Sequence, residues 1–114
     1  MIEKIILDYI SEELPDVPCY MERPETKPDG EYILLEKTGS SLSNHLPKAT
    51  IAVQSYAPTL QKAAELNESA KAVLLNAVVL AEVSGVYLQS DYNFTDTATK
   101  QPRYQAVFDF YYYG

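Results

Sequence analysis

The chain is poor in the residues that most enzymes and metal proteins rely on. Cys19 is its one cysteine, His45 its one histidine, and it has only four glycines. A single cysteine excludes an intrachain disulfide, which fits a reducing compartment. A metal site takes about three or four ligands from His, Cys, Asp and Glu. Here Cys19 and His45 leave only carboxylates, and no calcium-loop spacing of acidic residues appears. So few glycines provide no phosphate-cradling loop. The sequence therefore predicts neither a cofactor nor a metal.

Basic residues are also scarce. Nine Lys and Arg stand against 16 Asp and Glu, a net charge of −7. Gripping nucleic acid takes clustered cations that displace counterions, and an anionic membrane asks the same. Ten tyrosines could offer bases a stacking platform, but such platforms come with interleaved cations. The neighbours here are Asp91, Asp109 and glutamines. Long apolar runs are missing too. A bilayer span needs about 20 apolar residues, and the stretch AVVLAEV is interrupted by Glu82. The opening MIEKIILDYI carries acids within its apolar stretch and no cleavage-like site, so it is not expected to be a signal peptide.

What the chain does have is ordinary globular composition, with 46% hydrophobic and 22% charged residues, enough for a core without metal or disulfide. We expect a single domain over residues 1–114. Ile2, Ile5, Ile6, Tyr9, Ile10 and Leu14 recur at helical spacing, and Pro15 ends the helix. Pro18 and Tyr20 flank a short strand, and RPETKPDGE is a turn. YILLEKT and ATIAVQSY read as a hairpin, with GSSLSNHLPK as its long polar tip.

Pro58 suits a first helical turn. The alanine- and leucine-rich pattern predicts a helix from Thr59 to about Leu80. Leu60, Ala63, Ala64, Ala70, Val73, Leu74, Ala77 and Leu80 share its buried face. Asn67 and Glu68 mark a bend or an exposed patch, and Ser84 and Gly85 end the element. VYLQSDY and Arg103 to about Tyr113 then form a second hairpin around the loop NFTDTATKQP. The order predicts an α+β domain: a mainly antiparallel sheet of about four to five strands, with two helices packed on one face.

Strand parity sorts the side chains. Tyr104, Ala106, Phe108, Phe110 and Tyr112 belong under the helices. Arg103, Gln105, Val107, Asp109, Tyr111 and Tyr113 face away, with Thr50, Gln54 and Tyr56 and with Tyr87, Gln89 and Asp91. Tyrosine gives contact area at low entropic cost, so a Tyr- and Gln-rich outer face fits a protein interface. A solvated face of good strand formers is the plainer reading.

Catalytic pairings fare poorly. Ser41 or Ser43 with His45 matches no nucleophile elbow and has no acidic orienter near in sequence. Cys19 beside Pro18 and Tyr20 reads as an inert, partly buried strand residue rather than the thiol of a dyad with His45. The chain is not expected to be an enzyme.

Taken whole, the chain resembles the tail terminator, or tail completion, proteins of long-tailed bacteriophages. The resemblance rests on the amphipathic start MIEKIILDYISEEL and the phrase VPCYMERPETKPDGEYILLEKTG. It continues through ATIAVQSYAPTLQKAAELNESAKAVL to the closing hairpin SDYNFTDTATKQPRYQAVFDFYYY. It implies a structural protein with no catalytic residues. Copies would form a ring, usually a hexamer, at the head-proximal end of the tail tube. That ring would bind the major tail tube protein and a head-completion or connector protein, and DNA would pass through the lumen without specific binding. An acidic lumen repels phosphate. Assembly would take place in the bacterial cytoplasm, and the product would sit in the virion neck.

On this reading Tyr56, Tyr87, Tyr111 and Tyr113 contribute subunit or lumen surface. The loops 38–48 and 93–102, with Ser41, Asn44, His45, Asp96 and Lys100, act as docking tips. Two alternatives remain: another phage neck or head-completion component, and a small ligand-binding or enzymatic domain built on the loop around His45.

Overall fold

The computed structural model describes residues 1–26, 28, 30–43, 46–95, 97–98 and 100–113, with Ser43 by its backbone. Among the described residues, no helix is long and apolar enough to cross a membrane.

Helix α1 (Ile2–Glu13) buries Ile2, Ile6, Tyr9 and Ile10, a stripe set by the 3.6-residue repeat. Lys4 donates to Asp8 one turn on, at 2.6 Å. The Leu14 N–H closes the helix on Ile10 O at 2.8 Å, just before Pro15. Helix α2 (Leu60–Leu75) starts at Thr59, whose extended backbone and Oγ1, accepting the Lys62 N–H at 3.2 Å, form an N-cap.

α2 is shorter than its pattern predicts. It stops at Leu75, and Ala77–Val79 form a 3-10 turn before Leu80 turns extended. Asn76 and the β-branched pair Val78 and Val79 are weak helix formers. Ala63, Leu66, Asn67, Ala70, Leu74 and Ala77 are buried, whereas Leu60 is exposed and Ala64, Val73 and Leu80 are half-buried. Asn67 is no exposed patch: only 2% of it meets solvent.

The strands are β1 (Cys19–Tyr20), β2 (Tyr32–Ser43), β3 (Leu46–Tyr56), β4 (Val83–Asn93) and β5 (Arg103–Tyr112), in the sheet order β1-β2-β3-β5-β4. All pairings are antiparallel except β1 with β2. The expected α+β architecture holds. Both helices contribute to one core with Ile33, Leu35, Ile51, Val53, Ala106, Phe108 and Phe110 from one sheet face. Tyr112 packs against that core, and Tyr104 is half-buried.

Two elements differ from the sequence reading. The first hairpin is longer: strand pairing continues through Gly39–Ser43 and Leu46–Lys48, where a loop was expected. Beyond the helices the sheet margin has no core to face, so Gly, Ser and Lys pair as readily there as apolar residues do. Ser84 and Gly85 do not end the long helix. They lie within β4, which begins at Val83.

Candidate interaction face

The sheet face away from the helices has a closed end and an open end. At the closed end, Tyr32 and Tyr56 stack at 4.5 Å and Tyr20 meets Tyr32 edge-on at 6.1 Å. Arg103 lies 4.3 Å above Phe94 and 5.5 Å from the Tyr56 ring, a cation held against aromatic faces. Its Nε donates to Phe94 O at 2.8 Å and one terminal nitrogen donates to the Tyr56 hydroxyl at 2.9 Å. The Tyr56 hydroxyl in turn donates to Gln54 Oε1 at 2.9 Å. Gln54 Nε2 donates to Gln105 Oε1 at 2.9 Å, and Gln105 Nε2 donates to the Tyr92 hydroxyl at 2.6 Å. This chain of bonds crosses β3, β5 and β4, so each buried polar group on it is satisfied. Gln101 adds a bond to the Tyr32 hydroxyl at 3.0 Å. Burial pushes the Tyr32 hydroxyl above the usual tyrosine range, and the Gln101 bond opposes this.

Tyr56 is therefore a correction. It does point away from the helices, but only 2% of it is exposed, because Tyr32 and Arg103 cover its ring. It cannot offer contact area to a neighbour.

In the middle of the face Asp109 is nearly buried. Its carboxylate accepts from Thr50 Oγ1 at 2.6 Å and from Gln89 Nε2, so neutral donors from both flanking strands hold it.

At the open end, Leu46, Ser84, Gly85, Tyr87 and Tyr111 line a shallow hollow of about 440 Å³. Tyr87 and Tyr111 meet edge-to-face at 5.7 Å. Tyr87 is 61% exposed and Tyr113 64%, while Tyr111 is half-buried. A Cβ on Gly85 would lie 3.1 Å from the Tyr87 ring, so the glycine lets that ring settle over the strand. Tyr87 and Tyr111 thus lie on the outer face, as strand parity predicts, and Tyr87 and Tyr113 leave aromatic surface open to solvent. Leu46 was missed, because it was read as part of a loop.

Asp91 is a second correction. Between Leu88 and Ser90 the register with β5 shifts, and Gln89 is the additional residue. A bulge of this kind reverses the parity of everything beyond it. Asp91, opposite Ala106, thereby faces the helices and not outward. Its Oδ1 accepts from Asn67 Nδ2 at 2.7 Å, and its Oδ2 accepts from Lys71, which also meets Glu68 at 2.6 Å. Burial pushes the Asp91 carboxyl up, but the Lys71 and Asn67 bonds together outweigh it and leave it below the usual range. Lys71 is raised, first by its bond to Asp91 and then by Glu68. This clamp ties α2 to β4 and leaves Asn67 Oδ1 buried without a partner.

Of the expected docking tips, Ser41 is exposed on β2 opposite Lys48, and Lys100 is exposed with a left-handed φ of 57°. The register sets Ser41, Lys48 and Tyr111 in one row across β2, β3 and β5, whereas Lys100 lies in the segment between β4 and β5. Asn44, His45 and Asp96 lie outside the described residues. Cys19 packs half-buried against the core, and burial pushes its thiol up to about 12 against the opposing Tyr20 backbone bond. Among the described residues, no cluster of His, Cys, Asp and Glu is arranged to hold a metal ion.

No family profile and no curated protein matches the chain. Among solved structures, it is similar to a chain of the virion of a native gene transfer agent particle. The two share 14% identity and a TM-score of 0.60, covering 96% of this chain and 85% of that one. At that identity the likeness establishes a shared fold.

Proposed function

We propose that the protein is a structural component of a phage-like virion, a tail terminator that caps the head-proximal end of the tail tube as a ring. The observation that carries this reading is the open end of the outer face. Tyr87 and Tyr113 are well exposed, and Tyr87 lines a hollow with Tyr111 and Leu46, whereas the tyrosines at the closed end of that face are held by hydrogen bonds or stacking and are largely covered. Surfaces of this make-up belong at protein contacts. Two further facts support the virion setting. A chain of the same fold occurs in a gene transfer agent virion. The acidic balance of 16 against 9 also suits a ring through which DNA slides without being held. The role is non-enzymatic: partners are other copies of the chain, the major tail tube protein and a head-completion protein.

Native mass spectrometry tests the reading, with the chain alone and mixed with the major tail tube protein of the same genome. The expected result is a ring, and Tyr111→Asp combined with Tyr113→Asp should abolish it while the monomer keeps its circular dichroism. A wild-type chain that stays monomeric in both settings would rule the reading out.

A further inference from the structure

Both margins of the sheet leave strand edges unpaired, and between Leu35 and Ser43 the only charges are Glu36 and Lys37. Among the described residues β4 is bonded along one side only, to β5. On the opposite margin, β1 pairs only with Ile33 and Leu34, and from Leu35 to Ser43 β2 is bonded to β3 alone. Exposed edges usually carry lysines, prolines or inward charges that repel a pairing strand. Gly39–Ser43 reads GSSLS and Val86–Ser90 reads VYLQS, without a charge or a proline in either.

Strand direction makes the two margins complementary. β2 is antiparallel to β3, β3 to β5 and β5 to β4, so β2 and β4 run in opposite directions. Rotating a copy about an axis along the strands preserves those directions. β4 of one copy then meets β2 of the next as an antiparallel pair, the more stable kind. Such a head-to-tail contact uses both margins and generates rings. Register shifts at Lys37/Gly39, Val83/Gly85 and Leu88/Ser90 bend both margins, as a curved closed sheet needs.

We propose that copies of this chain join edge to edge. β4 of one subunit pairs antiparallel with the Leu35–Ser43 margin of β2 in the next, and the sheet runs on through the ring. This rests on the ring reading above and specifies how the ring is built.

Hydrogen exchange on the assembled protein, against the monomer at low concentration, tests it. In the assembly, alternate amides within Gly39–Ser43 and Val86–Ser90 should slow by at least about tenfold while those between them, already bonded inward, stay as they are. Of Ser40→Pro and Ser41→Pro, one removes an outward N–H and spares the β3 ladder; that variant should fold and fail to assemble. A ring in which those amides exchange as in the monomer would overturn the edge pairing and leave the ring reading standing. So would two proline variants that both fold and assemble. A particle that stops at a dimer points to β4 pairing with itself and overturns the edge pairing. A chain monomeric at every concentration, with or without tube protein, overturns both.

Discussion

The two ends of the outer sheet face use the same residue type for opposite purposes. Tyr56 is sealed by Tyr32 above it and by Arg103 and Gln54 at its hydroxyl. Tyr87, on the same face, touches Tyr111 edge-on, lies over Gly85 and leaves most of its surface to solvent. The difference lies in what surrounds each tyrosine. A tyrosine ringed by donors, acceptors and another aromatic ring becomes a second small core, whereas one beside a glycine stays available.

Truncation should expose this contrast most strongly. Tyr56→Ala should destabilise the monomer by about 3–5 kcal/mol in urea unfolding, since it removes a buried ring and strands two polar partners. Tyr87→Ala should stay within about 0.5 kcal/mol and weaken assembly instead. Equal losses at the two sites would erase the distinction.

A middle-sized effect is expected on the other face, where the same strand serves packing. Lys71→Met should cost about 1–2 kcal/mol near neutral pH, because it removes the charged donor to a partly buried carboxylate. The pH dependence follows from the two shifts. Asp91 has a lowered pKa, so its contribution is present above the ordinary carboxylate range and is lost as pH falls through the lowered value. Lys71 has a raised pKa, so its contribution is present below the ordinary lysine range and is lost as pH rises through the raised value. Wild type and variant should therefore converge at both extremes in pH-dependent denaturant melts and differ most between them.

The smallest change is at the hollow. In Gly85→Ala the new methyl meets the Tyr87 ring, the far end of an exposed side chain that can swing aside. The monomer should lose less than about 0.5 kcal/mol, while assembly weakens measurably in a concentration series.

Much of this contrast could be read from the sequence. The split of β5 into Ala106, Phe108 and Phe110 on one side and Gln105, Asp109 and Tyr111 on the other needs only strand parity, and it holds along the whole strand. The fate of Tyr56 was not legible, because it depends on Arg103, which β5 brings opposite it from 47 residues away. Asp91 was missed for a local reason. A bulge leaves no trace in the hydrophobic pattern of an exposed strand, so parity counted from Tyr87 fails after Gln89. The extended hairpin was hidden by composition, since serine and glycine at a sheet margin read like a loop.

The bulge at Gln89 has a consequence for how such a chain can vary. Before it, β4 supplies Tyr87 to the outer face; after it, the strand supplies Asp91 to α2. Flattening the bulge without removing a residue would carry the carboxylate outward and turn Tyr92 toward the helix, whereas deleting Gln89 would leave a regular ladder with Asp91 still opposite Ala106. The two faces thus depend on the pairing of Leu88 with Phe108 and Ser90 with Val107, and not on the count of residues between Tyr87 and Asp91. A relative one residue shorter between Leu88 and Ser90 should therefore keep its carboxylate on the helix side, with a straighter strand and no side chain in the place of Gln89 to donate to Asp109.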